Sequence, residues 1–152
     1  MYPLRTRFAK EIIAEFLPPS RPSKKVVIFC GGMPAVTKYR EALTFMAKKG
    51  FWVFHPRYRG SWESDGKFLR YSPEKDVLDI IDQLPKGWMD LWHKKHYTLK
   101  PSHIYIIAGS FGGPAGILAS RDSRVTKVFA ISPVVDWQAP SKKELLDWMG
   151  PY

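Results

Sequence analysis

The sequence contains a single cysteine, Cys30, among 152 residues. One thiol cannot form an internal disulfide or a cysteine-rich metal cluster, so stability has to come from a packed core. The amino-terminal residues lack the apolar stretch of a secretory signal peptide, and no apolar run is long enough to span a bilayer. We therefore expect a cytoplasmic protein that does not associate with a membrane.

Acidic residues are also scarce, with 14 Asp and Glu against 24 Lys and Arg, and the formal net charge is +10. Such a charge can indicate a nucleic-acid partner or an anionic surface. The basic residues are dispersed along the chain rather than concentrated in one arm or helix, which favours a solvated surface. We expect the six tryptophans to pack in the core rather than to stack on bases, so nucleic-acid binding is the weaker alternative.

Apolar residues are plentiful, at 45% of the chain, and suffice for the core of one domain. Short continuous apolar runs are typical of buried strands, and they occur at 26–30, 51–54 and 104–108. We expect a fourth strand over 125–131. Segments with helical character lie between them, at 39–49, 72–84 and 114–120. This alternation predicts an α/β fold with a mostly parallel sheet and helices on both faces, in three layers. We also expect a strand over 11–17, an irregular segment over 87–102, an amphipathic tail over 142–149, and a helix cap at Ser72.

One of the predicted strands ends in a serine surrounded by glycines. Residues 104–113 read Ile-Tyr-Ile-Ile-Ala-Gly-Ser-Phe-Gly-Gly, and a helix-compatible segment follows. A sharp strand-to-helix turn needs small neighbours, so that the serine hydroxyl projects into a pocket. Ser110 is therefore a candidate nucleophile, and the alternative is a serine that only marks a tight turn. The loops 31–34 and 55–66 are expected at the same carboxyl edge of the sheet.

Five stretches in order resemble the α/β-hydrolase fold superfamily, and within it the prolyl-oligopeptidase-like branch of serine hydrolases and peptidases. They cover nearly the whole chain and lie at 12–19, 29–34, 56–61, 108–113 and 131–137. Two positions depart from the family pattern. Ala108 occupies the first glycine position of the Gly-x-Ser-x-Gly turn, and Cys30 stands where the family often has histidine.

The resemblance implies that Ser110 attacks the carbonyl carbon of an ester or amide, in a small molecule or a peptide. The backbone N–H groups of Phe111 and of Gly32 or Met33 would then bind the oxyanion. The resemblance implies no cofactor, and the histidine spacing suggests no metal site.

Two further side chains are possible accessories to this site. His55 is the only histidine expected near Ser110, either as a replacement base or as a loop or core histidine hydrogen-bonded to the backbone. Arg59, in the Tyr-Arg-Gly loop, either braces the sheet edge or binds a substrate carboxylate.

In the resembled family the acid and the histidine of the triad follow the serine, after the seventh and eighth strands. No histidine follows His103 here, and the sequence contains strands only up to the sixth. We therefore interpret residues 1–152 as a single incomplete α/β-hydrolase domain, truncated before the last strands, to which another chain would supply the base. The alternative is a catalytically inactive remnant that acts as an assembly or binding module. The unpaired strand over 125–131 predicts a homo-oligomer or a complementing chain.

Overall fold

The computed structural model describes residues 2–32 and 39–136. The elements of this part of the chain are β1 (Leu4–Phe8), β2 (Ile12–Leu17), β3 (Lys25–Cys30), α1 (Arg40–Lys48), β4 (Trp52–Pro56), α2 (Glu74–Gln83), β5 (Trp88–Met89), β6 (His96–Tyr97), β7 (His103–Gly109), α3 (Gly112–Ala119) and β8 (Val125–Ile131).

Six of the strands form one sheet in the order β1-β2-β4-β3-β7-β8. The strands β4, β3, β7 and β8 are parallel, whereas β1 and β2 are antiparallel to their neighbours. The register places Cys30 beside Ala108, and Ala108 beside Ala130, so three strands end at the same edge. The predicted mostly parallel α/β sheet is confirmed.

Helices cover both faces of this sheet. On one face, Leu43 and Ala47 of α1 pack on apolar strand residues including Val27 and Val53. On the other face, α2 and α3 cover the larger cluster, which includes Ile28 and Ile106 of the central strands. Because the central strands are buried from both sides, nearly every residue in them is apolar, which is why continuous apolar runs predicted them correctly.

The strand β1 was not predicted from the sequence. Its residues Arg5 and Arg7 break the apolar pattern, while Phe8 is buried. Its turn into β2 is formed by Ala9 and Lys10, both with positive φ (46° and 65°), a conformation that glycine or asparagine normally signals. The segment 87–102 also differs from expectation, because it contains the short antiparallel pair β5 and β6.

The expected helix cap at Ser72 is wrong. Helix α2 begins at Glu74, and the residue before it is Pro73, which makes no side-chain capping bond. The Ser72 hydroxyl instead contacts the Glu74 carboxylate, while its carbonyl accepts a hydrogen bond from the Lys75 N–H at 2.9 Å. The Ser72 side chain therefore makes no capping bond to a backbone N–H of α2.

The predicted tail over 142–149, the tryptophans Trp137 and Trp148, and Met33 lie outside the described residues. Of the described tryptophans, Trp88 is buried in the aromatic core and Trp92 is exposed. In the described part of the chain, no helix combines the length and the apolar character needed to cross a membrane.

Candidate active site

Ser110 lies in a tight turn between β7 and α3. Its φ angle is +49°, a left-handed conformation that costs a residue with a side chain roughly 1 kcal/mol or more. Its backbone is held by three hydrogen bonds. The Ser110 N–H donates to the Ile131 carbonyl at 3.2 Å, and the Ser110 carbonyl accepts from the N–H groups of Gly113 (2.9 Å) and Val134 (3.0 Å). Ser110 itself is exposed, at the carboxyl edge of the sheet.

Two glycines of α3 allow the helix to approach the sheet closely enough to form this turn. A Cβ atom on Gly112 would lie 2.1 Å from the carbonyl oxygen of Cys30. A Cβ atom on Gly116 would lie 2.6 Å from the Cβ of Ala108. Ala108 therefore fits the first position of the turn because the helix residue opposite it has no side chain.

The loop after β3 contacts the serine. A Cβ atom built on Gly32 would lie 3.2 Å from Ser110 Cβ and 3.6 Å from Ser110 Oγ. The buried Phe111 follows the serine, and its ring packs against Tyr58 and Phe68 with ring centroids 5.2 and 5.5 Å apart. Of the predicted site residues, the structure thus brings Ser110, Phe111 and Gly32 together.

His55 is almost fully buried, with 1% of its surface exposed. Arg57 Nη1 lies 2.8 Å from His55 Nδ1, and Glu15 Oε2 lies 3.4 Å from the same nitrogen. Burial lowers the pKa of His55, although Glu15 opposes the shift, so the ring is neutral near pH 7. Because a guanidinium only donates, Nδ1 accepts from Arg57 and the proton of the neutral ring sits on Nε2.

This arrangement does not provide a base for the serine. The Nε2 atom lies beside Gly31, where an added Cβ would be 3.1 Å away, and it already carries its proton. No hydrogen bond between His55 and Ser110 occurs within residues 2–32 and 39–136. The contacts favour the alternative of a bonded core histidine, with side-chain rather than backbone partners.

Arg59 is 7% exposed, and carboxylates surround it. Its Nε and Nη2 atoms contact Glu11 (2.6 Å) and Asp79 (2.7 Å), its Nη1 contacts Asp76, and its backbone N–H donates to Asp76 at 2.8 Å. All three guanidinium nitrogens are therefore engaged. This geometry favours bracing of the loop after β4 over recognition of a substrate carboxylate.

Cys30 does not offer a second nucleophile. Burial raises the pKa of its thiol to about 12, so the thiol stays protonated at neutral pH. The main chain of this residue borders the site, because its carbonyl faces Gly112.

The sequence analysis missed two residues near the site. Glu15 pairs with His55 across β2 and β4, and its only signal was a charge within an otherwise apolar strand. Tyr58 donates a hydrogen bond to the Gly31 carbonyl at 3.0 Å. It belongs to the Tyr-Arg-Gly loop, but no pattern in the sequence links it to the loop after β3.

Several solved structures are similar to this chain over most of its length. Est1E from Butyrivibrio proteoclasticus, solved with ferulic acid bound, is 18% identical to this chain, with a TM-score of 0.63. The matched region covers 86% of this chain and 52% of Est1E. An esterase from Pyrococcus furiosus is 19% identical to this chain, with a TM-score of 0.63. The matched region covers 88% of this chain and 52% of the esterase. A lidless α/β serine hydrolase from Xanthomonas campestris is 13% identical to this chain, with a TM-score of 0.61. The matched region covers 92% of this chain and 64% of the hydrolase.

The chain has the α/β-hydrolase fold. It spans about half the length of the esterase from Pyrococcus furiosus and of Est1E. No protein-family model matches the sequence, and no curated protein matches it. The neighbours with this fold include esterases and an epoxide hydrolase.

Proposed function

We propose that this chain is the nucleophile-bearing part of a serine hydrolase of the esterase or peptidase type, from the prolyl-oligopeptidase-like branch. The observation that carries the proposal is the exposed Ser110, held at a φ of +49° with its side chain against Gly32. The five ordered stretches that resemble the branch support the finer assignment.

In this proposal Ser110 Oγ attacks the carbonyl carbon of an ester or amide. The N–H groups of Phe111 and of Gly32 or Met33 bind the oxyanion, and one such donor contributes about 3 kcal/mol in the transition state. An unactivated serine hydroxyl is a poor nucleophile, so a base has to accept its proton. The Nδ1 atom of His55 is already hydrogen-bonded to Arg57. We therefore propose that the base and its acid partner come from a complementing polypeptide.

Fluorophosphonate labelling tests the nucleophile. The serine oxygen displaces fluoride from phosphorus, so an activated Ser110 becomes phosphonylated and the modified peptide is identified by mass spectrometry. We expect Ser110→Ala to abolish the label, whereas Ser123→Ala, which removes an exposed serine in the loop before β8, should leave it unchanged. A label that survives in Ser110→Ala, or one that is absent from the native chain with and without complementing polypeptides, would remove the proposal.

The second candidate function is assembly without catalysis, and β8 is the observation that favours it. β8 lies at the edge of the sheet. The Ile131 carbonyl faces β7, since it accepts from Ser110, and the main-chain groups of Val128 and Ala130 therefore point outward. Parallel strands are normally covered on both faces, yet Phe129 and Ile131 are 47% and 60% exposed.

We expect this edge to pair with a strand of a second copy or of a complementing chain. Ala130→Pro removes an outward-facing donor and leaves the pairing with β7 intact, so it should prevent association without unfolding the domain. Ala130→Val keeps the donor and is the matched control. Sedimentation at micromolar concentration should show an oligomer for the native and valine chains and a monomer for the proline variant. A monomeric native chain would contradict pairing between copies.

A further inference from the structure

We propose that Tyr58 is a positioning residue that holds the Gly31–Gly32 peptide in the orientation needed for oxyanion binding beside Ser110. This inference rests on the proposed serine-hydrolase function. Tyr58 is 5% exposed, and its hydroxyl donates to the Gly31 carbonyl at 3.0 Å. The contact is buried, so water does not compete for either partner.

Peptide geometry connects this hydrogen bond to the site. In a trans peptide the carbonyl and the following N–H point in opposite directions. The hydrogen bond that draws the Gly31 carbonyl toward Tyr58 therefore turns the Gly32 N–H away from Tyr58. A Gly–Gly unit resists rotation very little, because neither residue has a Cβ. Without Tyr58 the peptide is free to flip and to present a carbonyl oxygen where a donor is required.

The surroundings of Gly31 and Phe111 reinforce this role. The space beside Gly31 is filled by His55 Nε2 and the Tyr39 ring, which an added Cβ would approach to 3.1 and 3.3 Å. The Tyr58 ring also packs edge-on against Phe111, with centroids 5.2 Å apart. One side chain thus contacts both segments that would supply oxyanion donors. Burial raises the pKa of Tyr58 well above its ordinary value, so the hydroxyl remains a donor at neutral and alkaline pH.

The hydrogen bond between Tyr58 and the peptide is tested without any activity. The sequence contains only two Gly–Gly pairs, Gly31–Gly32 and Gly112–Gly113. In a chain labelled with carbonyl-¹³C and ¹⁵N glycine, a carbonyl-filtered NMR spectrum therefore shows two amide signals. We expect Tyr58→Phe to shift the Gly31 carbonyl and Gly32 amide resonances and to leave the Gly113 signal in place. Tyr105→Phe, which removes a hydroxyl on β7, should move neither.

Fluorophosphonate kinetics test the consequence for the site. At saturating probe, Tyr58→Phe should slow Ser110 labelling about tenfold, while the half-saturating probe concentration stays unchanged. If native Ser110 does not react, the proposed function fails, but the NMR spectrum still tests whether the Tyr58 hydroxyl is bonded to the Gly31–Gly32 peptide. If Ser110 reacts and either the Gly31–Gly32 resonances or the labelling rate of Tyr58→Phe match the native chain, the positioning role is overturned.

Discussion

Replacing Gly112 with alanine is expected to lower the free energy of unfolding by about 3 kcal/mol or more. The added Cβ would lie 2.1 Å from the Cys30 carbonyl oxygen and 2.8 Å from that of Gly31. Both obstacles are main-chain atoms of the sheet edge, so no side-chain rotation relieves the contact. The start of α3 would have to move away from β3, and the turn that carries Ser110 would move with it.

Urea unfolding followed by circular dichroism measures this loss. The matched control is Gly109→Ala, one residue before the serine. A Cβ at Gly109 meets only the Ile131 carbonyl, at an ordinary 3.8 Å, and Gly109 does not have a positive φ. The control should leave stability unchanged or raise it by about 0.4–1 kcal/mol, because alanine restricts the unfolded chain. If both variants lose the same free energy of unfolding, the close packing of α3 on β3 is not what limits substitution at this turn.

Most of the sheet follows from elementary patterns in the sequence. The runs at 26–30 and 104–108 had to be apolar throughout because helices cover both faces of β3 and β7, and runs of this length and composition are typical of doubly covered strands. The turn at Ser110 was also predictable, since small residues are required wherever a helix packs directly on a strand end. The role of Gly116 in accommodating Ala108 depends on helix rotation and became visible only in three dimensions.

Other parts of the site depend on pairings between residues distant in the chain. Glu15 and His55 are neighbours because β2 and β4 pair in one particular register, and a shift of one residue would separate them. The Tyr58–Gly31 hydrogen bond likewise joins two loops that are 27 positions apart. Local patterns do not encode such contacts, so the sequence alone could not predict them.

Acidification is expected to destabilise the protein in two steps, both at the Glu15–His55 pair. Burial lowers the pKa of His55 below its ordinary 6.5, so the unfolded chain binds the proton first and stability falls as the pH drops below 6.5. The protonated ring then becomes a donor to Glu15. That hydrogen bond, with the Arg57 and Arg5 charges, lowers the pKa of Glu15 from 4.5 to about 2. The stabilisation from Glu15 is present above pH 4.5 and lost between pH 4.5 and 2, at most about 3 kcal/mol.

Unfolding free energies at pH 7.5, 5.5 and 3.5 resolve the two steps. Glu15→Gln should flatten the loss below pH 4.5. His55→Gln should flatten the loss that begins at 6.5 and, because it removes the hydrogen bond to Glu15, should also reduce the loss below pH 4.5. Asp122 also has a pKa of about 2, through its hydrogen bond with Arg124, whose side chain is 45% exposed. Salt at 0.5 M should therefore reduce the contribution of Asp122 and leave that of Glu15 largely intact, because buried pairs are screened less. If Glu15→Gln loses unfolding free energy below pH 4.5 as steeply as the native chain does, Glu15 is not the source of the acid sensitivity. If 0.5 M salt abolishes that loss in the native chain, the sensitivity belongs to the exposed Asp122–Arg124 pair.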